Sequence, residues 1–231
     1  METIAKTNTI KDKLIAEFES AKASLFGDVK LREQALEVFS KLGIPNRKSE
    51  EYKYVNMELA LKGDFVFSSS KKLSSSQTRL PDGQVENTQF LKNAIVVVIE
   101  NGKFNSEQSK LNALPKGLQI LNISEAISND SFQKHYSKYA DINSDTFIAL
   151  NTALATGGVF IRVEKNAMIE NPIHVLHIAS VSENTILNPR NLIVVEENAQ
   201  AKIVESYEVH DSSAKLFNNT LTEIVVEANA N

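Results

Sequence analysis

A five-residue pattern recurs three times in the last third of the chain. Val163-Glu164-Lys165-Asn166-Ala167, Val195-Glu196-Glu197-Asn198-Ala199 and Val226-Glu227-Ala228-Asn229-Ala230 share the form V-E-x-N-A, 32 and then 31 residues apart. A near-constant period of this size describes units that bury their apolar faces only against their neighbours. The Asn tolerates left-handed turn geometry, and stacked Asn amides bond along a column. The Ala after it is small enough for the inside of a tight corner. Between the copies, Val159 to Val163, Ile173 to Ala179, Leu192 to Val195, Ile203 to Val209 and Leu221 to Val226 are rich in β-branched or aromatic residues. A sandwich would want frequent hairpin turns, and Asn-Gly-type turns stop at Asn101-Gly102. The period therefore predicts a parallel β-helix, making the chain mainly β. No cap follows the third copy, which predicts a fragment of a longer protein with an end liable to pair with another molecule.

Upstream, the pattern is helical. Ile10, Leu14, Phe18 and Ala21 share one helical face, and Leu31, Ala35, Val38, Phe39 and Leu42 share another. Gly43 suits a left-handed cap and Pro45 cannot continue the helix. Ser49-Glu50-Glu51 resembles a helix start leading to Met57, Leu59, Ala60 and Leu61. Ile95 to Ile99 reads as a buried strand, with Asn101-Gly102 turning it into a hairpin, and Leu118 to Ile123 as another. Ser131 to Tyr139 is weakly helical. Asp145 to Ala155 is a stronger helix ended by Gly157-Gly158. The expected organisation is a helical N-terminal domain at 1–66, a flexible Ser/Lys-rich linker at 67–92, and an α/β lead-in with the first coils at 93–231.

Composition narrows the function classes. Across 231 residues, Lys+Arg total 25 against 29 Asp+Glu, a net charge of −4 that argues against duplex nucleic acid as a partner. The chain has no Cys, which excludes a disulfide, a thiolate nucleophile or a metal site on its own thiolates. The longest apolar run, Ala94 to Ile99, is too short to span a membrane, and the first residues carry no secretory h-region, so cytoplasm is the expected location. Glycine-loop, zinc-helix and nucleophile-elbow motifs are absent. A binding or scaffold protein is expected rather than an enzyme.

The candidate residues support no catalytic or metal set. His174 and His177 are three apart on a strand and so face opposite ways. His135 is isolated. Glu164, Glu196 and Glu227 would form a column, read as a solvated corner with side chains splayed into water. Glu205, Glu208, His210 and Asp211 form a polar cluster, but Glu205 and Glu208 alternate faces. Glu50-Glu51-Tyr52-Lys53-Tyr54 is either a helix start docking two tyrosines or a protein-contact surface. No residue is assigned to a cofactor.

Several of these segments, taken in order, resemble a known family. Arg32-x-x-Ala35-x-x-x-Phe39-x-x-x-Gly43-x-Pro45 followed by Glu50-Glu51-Tyr52-Lys53-Tyr54 is similar to the N-terminal signature of the SufB/SufD family, and more like its SufD branch. The family usually has Trp where this chain has Tyr52. Phe147-Ile-Ala-Leu150-Asn151-x-Ala153, Gly157-Gly158-Val-Phe-Ile161, Pro172-Ile173-His174, Arg190-x-Leu192-Ile-Val-Val195 and Ile203-Val-Glu205-x-Tyr207 continue the likeness, which covers most of 29–63 and 94–231. The resemblance implies a helical domain before a right-handed parallel β-helix, in chains about twice this length. It implies a non-catalytic scaffold subunit in iron–sulfur cluster assembly, partnered by a SufB-like subunit and a SufC-like ATPase, with a homodimer as a further option. No cofactor is implied on this stretch, the cluster being built by the complex. A β-helix carbohydrate-active enzyme and a purely structural solenoid stand as alternatives. The first of these needs a secretion signal and clustered carboxylates.

Overall fold

The computed structural model describes residues 9–67, 93–210 and 214–231. Among these are five α-helices: α1 (Ile10–Ala21), α2 (Val29–Leu42), α3 (Met57–Ala60), α4 (Asp130–His135) and α5 (Thr146–Leu154). The strands are β1 (Val66–Phe67), β2 (Ile95–Glu100), β3 (Lys103–Asn105), β4 (Leu118–Asn122), β5 (Val159–Val163), β6 (Ile173–Ser180), β7 (Thr185–Leu187), β8 (Arg190–Val195), β9 (Ile203–His210), β10 (Leu216–Asn218) and β11 (Leu221–Val226). They form three small sheets, in the orders β1-β7-β10, β11-β8-β5-β4 and β3-β2-β6-β9. The expected linker at 67–92 falls, apart from Phe67, outside the described residues, as does Asp211.

This arrangement corrects the expectation of a mainly β chain wound as a right-handed parallel β-helix. Among the described residues helix and strand occur in nearly equal measure, 28% and 30%, and the fold is mixed α/β. Two of the sheets are not purely parallel, because β3 pairs antiparallel with β2 and β4 antiparallel with β5. The period of the last hundred residues was silent about both features. The helices lie mostly upstream of it, and the antiparallel strands belong to no copy of the repeat.

Local chemistry explains most element ends. Thr9 caps α1 in a reciprocal box with Asp12, and Asp28 caps α2 through the Lys30 N–H. Gly43 ends α2 at φ 69°. Ser49 opens only a short 3-10 turn, and α3 starts later, where the Asn56 side chain accepts the Leu59 N–H. Asn101 and Gly102 both take positive φ, the geometry of the tight turn joining β2 to β3. After α5, a Cβ on Gly158 would lie 1.9 Å from the Arg190 carbonyl oxygen, so only glycine lets the chain pass β8 here.

The core has two main parts. Leu14, Phe18, Ala35 and Phe39 from α1 and α2 pack with Leu150, Leu154 and Ile186, so the helices and the sheets share one apolar interior. Ile95, Val97, Ile161, Val175 and Ile193 fill the space between the two larger sheets. Each such side chain, fully buried, contributes about 1.5–3 kcal/mol.

The three repeat copies lie side by side. Val163 pairs with Val195, and Val195 with Val226. Asn166, Asn198 and Asn229 all take left-handed φ, at 66°, 59° and 57°. The Asn198 amide donates to Asn166 Oδ1 at 3.1 Å, and the Asn229 amide donates to Asn198 Oδ1 at the same distance. The neighbouring Glu column is not splayed into water. Glu196 takes a two-pronged contact from the Arg162 guanidinium at 2.6 and 3.2 Å, Glu227 pairs with Lys134, and Glu164 accepts from Gln119. Each acid has found a donor, which offsets the repulsion a bare column would suffer.

A buried charge pair ties helices to strands. Arg190 on β8 is fully buried and donates to Glu223 on β11 at 2.9 Å and to Thr152 on α5 at 2.7 Å, with Tyr136 against its face. Glu223 also accepts the backbone N–H groups of Ser137, Tyr139 and Ala140. Burial disfavours the Glu223 anion, but the Arg190 charge and these donors outweigh it and hold the carboxyl below its ordinary range. Its contribution is therefore present at neutral pH and lost as pH falls through that lowered value. Among the described residues no helix is long and apolar enough to cross a membrane.

Two predictions follow from these contacts. Glu223→Gln, which leaves Arg190 charged and buried, is expected to cost about 3 kcal/mol in urea unfolding. Asn198→Ala is expected to cost about 1–2 kcal/mol, and Asn198→Gly less, because glycine keeps the left-handed turn while losing the amide column. Equal losses for the two would show that the amide bonds, not the backbone geometry, carry the effect.

Candidate functional site

The residues singled out by sequence separate into surface, core and cleft. Tyr52 docks: its hydroxyl donates to Asp145 Oδ2 at 2.6 Å and its ring packs edge-on against Phe147. That hydrogen bond also explains the start of α5, since Asp145 caps it through the Phe147 and Ile148 N–H groups. Burial and the Asp145 charge push the Tyr52 phenol well above its ordinary value. Tyr54, by contrast, is 88% exposed. Of the two tyrosines, one is structural and one lies on the surface with the Lys53 ammonium over its ring.

His174 and His177 do face opposite ways. His174 shares a face with Leu176 and Ile178, and its Nε2 meets Ser206 Oγ at 2.7 Å. Burial holds its pKa below the ordinary histidine value. His210 lies 3.3 Å from Glu208, also on that side. His135, buried at the end of α4, meets the Tyr139 hydroxyl through Nδ1. None of these brings three metal-binding side chains together. Among the described residues no group of three or more His, Asp and Glu is placed to hold a metal ion.

His177 belongs to a different setting. It points inward from β6, is 5% exposed, and its Nε2 lies 2.7 Å from Glu205 Oε1 on β9. Its ring stacks on Tyr207, the residue directly across the ladder, at 4.5 Å and 19°. The Asn191 amide donates to the same carboxylate oxygen at 3.1 Å, and the Thr222 hydroxyl lies 3.3 Å from both carboxylate oxygens. Burial opposes the Glu205 anion, but His177, Tyr207 and Thr222 more than offset this and hold its carboxyl below the usual range. The Tyr207 phenol is pushed up to about 12, by burial first and then by the Glu205 charge, so it stays protonated. His177 and Tyr207 line a cleft of about 400 Å³ together with Ile99, Leu187, Leu216 and Thr220. Its walls are mainly apolar with a few convergent polar groups, the general character of a small-ligand site.

Sequence reading named His177 and Glu205 but not their partnership. The repeat period does not predict it. An offset of 30 residues between β6 and β9 sets Val175 beside Glu205 and His177 beside Tyr207. The V-E-x-N-A period is 32 at the neighbouring turn, and applying it here would misplace the pair by two residues.

Two family models match the chain. The SufBD protein N-terminal region covers residues 11–175, and the SUF system FeS cluster assembly SufBD core domain covers 177–231. An iron–sulfur cluster assembly SufBD family protein of Synechocystis is 27% identical over 87% of this chain and 45% of its own length. The iron–sulfur cluster assembly protein SufB of Bacillus subtilis is 31% identical over 43% of the chain and 21% of its own length. SufD of the same organism is 26% identical over 44% and 23%. The chain thus spans less than half the length of these relatives. Because SufB and SufD both match at similar identity, the SufD branch suggested by the Gly43-x-Pro45 segment is not distinguished from the SufB branch. The family models, which together run through the helices, the lead-in and all three copies of the repeat, place this chain in the SufBD family of iron–sulfur cluster assembly proteins.

Proposed function

We propose that this chain acts as a non-catalytic scaffold subunit in iron–sulfur cluster assembly, in the cytoplasm, within a complex that contains a second SufB/SufD-type subunit and a SufC-like ATPase. The observation that carries this reading is the family match running from residue 11 to residue 231. Composition agrees with it. These 231 residues hold no cysteine and so supply no thiolate to a cluster. The buried hydrogen-bonding capacity also goes largely into architecture: Arg190, Glu223, Asn151 and Asn219 tie helices to strands instead of lining the cleft.

The reading is tested by co-expression of the tagged chain with its cognate SufB-type subunit and ATPase. Recovery of all three in one species on affinity and size-exclusion chromatography is the expected outcome. A chain that elutes alone, with both candidates present and folded, would overturn it.

A further inference from the structure

The Asn101-Gly102 turn joins β2 to β3, and the chain holds no other Asn-Gly pair. Asparagine followed by glycine is chemically labile, because no side chain on the glycine shields its backbone nitrogen from the asparagine amide carbon. Reaction needs a side chain free to swing over that nitrogen, and access for water. This turn withholds both. Asn101 and Gly102 are buried. The Asn101 backbone N–H donates to the Ile178 carbonyl at 2.8 Å, and its side-chain Oδ1 accepts the Ser180 N–H at 2.9 Å. Main chain and side chain are thus both tied to β6, so the amide is released only when the hairpin opens from that strand.

We propose that Asn101 is a site of spontaneous deamidation that the native fold keeps unreactive, so that the chain is modified there only when unfolded or open at this hairpin. In the open chain the Gly102 nitrogen loses its proton and bonds to Asn101 Cγ. The Cγ–Nδ2 bond breaks, and the amide leaves as ammonia. Water then opens the five-membered imide at one of its two carbonyls, giving aspartate or isoaspartate. Neither product suits the native turn. Aspartate keeps an acceptor for Ser180 but buries a charge directly after Glu100, whose Oε1 is already buried with no partner among the described residues. Isoaspartate adds a carbon to the main chain and displaces Gly102. That residue has no slack. A Cβ on Gly157 would lie 2.6 Å from the Gly102 carbonyl oxygen, and Leu187 and Pro189 crowd the other side of Gly102. A chain that has reacted while open therefore does not regain the native contact of this turn with β6.

The test incubates the 231-residue chain in mildly alkaline buffer, folded in one sample and unfolded by urea in the other. A peptide spanning residues 98–105 in the same two buffers gives the unprotected rate. Peptide mapping by mass spectrometry follows the mass gain of deamidation, and an isoaspartate-specific carboxyl methyltransferase with a labelled methyl donor marks the isoaspartate product. The unfolded chain is expected to react at Asn101 as fast as the peptide and at least about tenfold faster than the folded chain, as a step gated by local opening does. Asn101→Gln, which closes the smaller ring no longer, is expected to lose the signal in urea, where folding is not at issue. Asn101→Asp is expected to refold with a lowered Tm. Equal rates in the folded chain and the peptide would overturn the proposal. So would a signal that persists in Asn101→Gln, or reacted chains that refold to the Tm of unreacted ones.

Discussion

Three successive strands can pair in one register only if each intervening turn returns the chain to the same height. The left-handed asparagines do this. At Asn166 and Asn198 the backbone N–H reaches the next turn, bonding to the Glu197 and Ala228 carbonyls, so the corners belong to the ladder as fully as the strands. The same register then decides every face. Ile161 meets Ile193 and Val163 meets Val195, all inside, and a slip of one residue would turn each of them outward. The core between the two larger sheets depends on a turn geometry that few residue types adopt without strain.

That dependence explains what could be read from sequence. The Asn column was legible because each copy repeats both the special residue and its apolar flank. The strands were legible because Val159–Val163 and Leu221–Val226 are rich in β-branched residues. The sheet of β1, β7 and β10 was not. Its strands are two or three residues long, too short for any alternation to register, and Ile186 and Phe217 face the helices. Nor was the overall class legible. A strong period in the last hundred residues dominated the reading, whereas half of the regular structure is helical or lies in the antiparallel lead-in. A second column, in which Asn219 donates to Asn188 31 residues earlier, escaped notice because only the Asn repeats and its flanks do not.

Arg190 presents the opposite case, a residue whose role no local pattern announces. It sits at the start of a mostly apolar strand, and its partners are 33 and 38 residues away on other elements. A buried ion pair of this kind adds little stability over apolar side chains of the same size. It discriminates between arrangements instead, because only one placement of α5, β8 and β11 satisfies both charges. Arg32, from α2, makes a similar demand by donating to the Ala153 carbonyl at the end of α5. Two buried guanidinium groups thus fix the last turn of α5, and with it the seam between the helices and the sheets.

The two histidines of β6 show how much a face decides. His174 and His177 are alike in type, burial and strand. One meets a serine hydroxyl beside an apolar patch. The other meets a carboxylate and a phenol at the wall of a cleft.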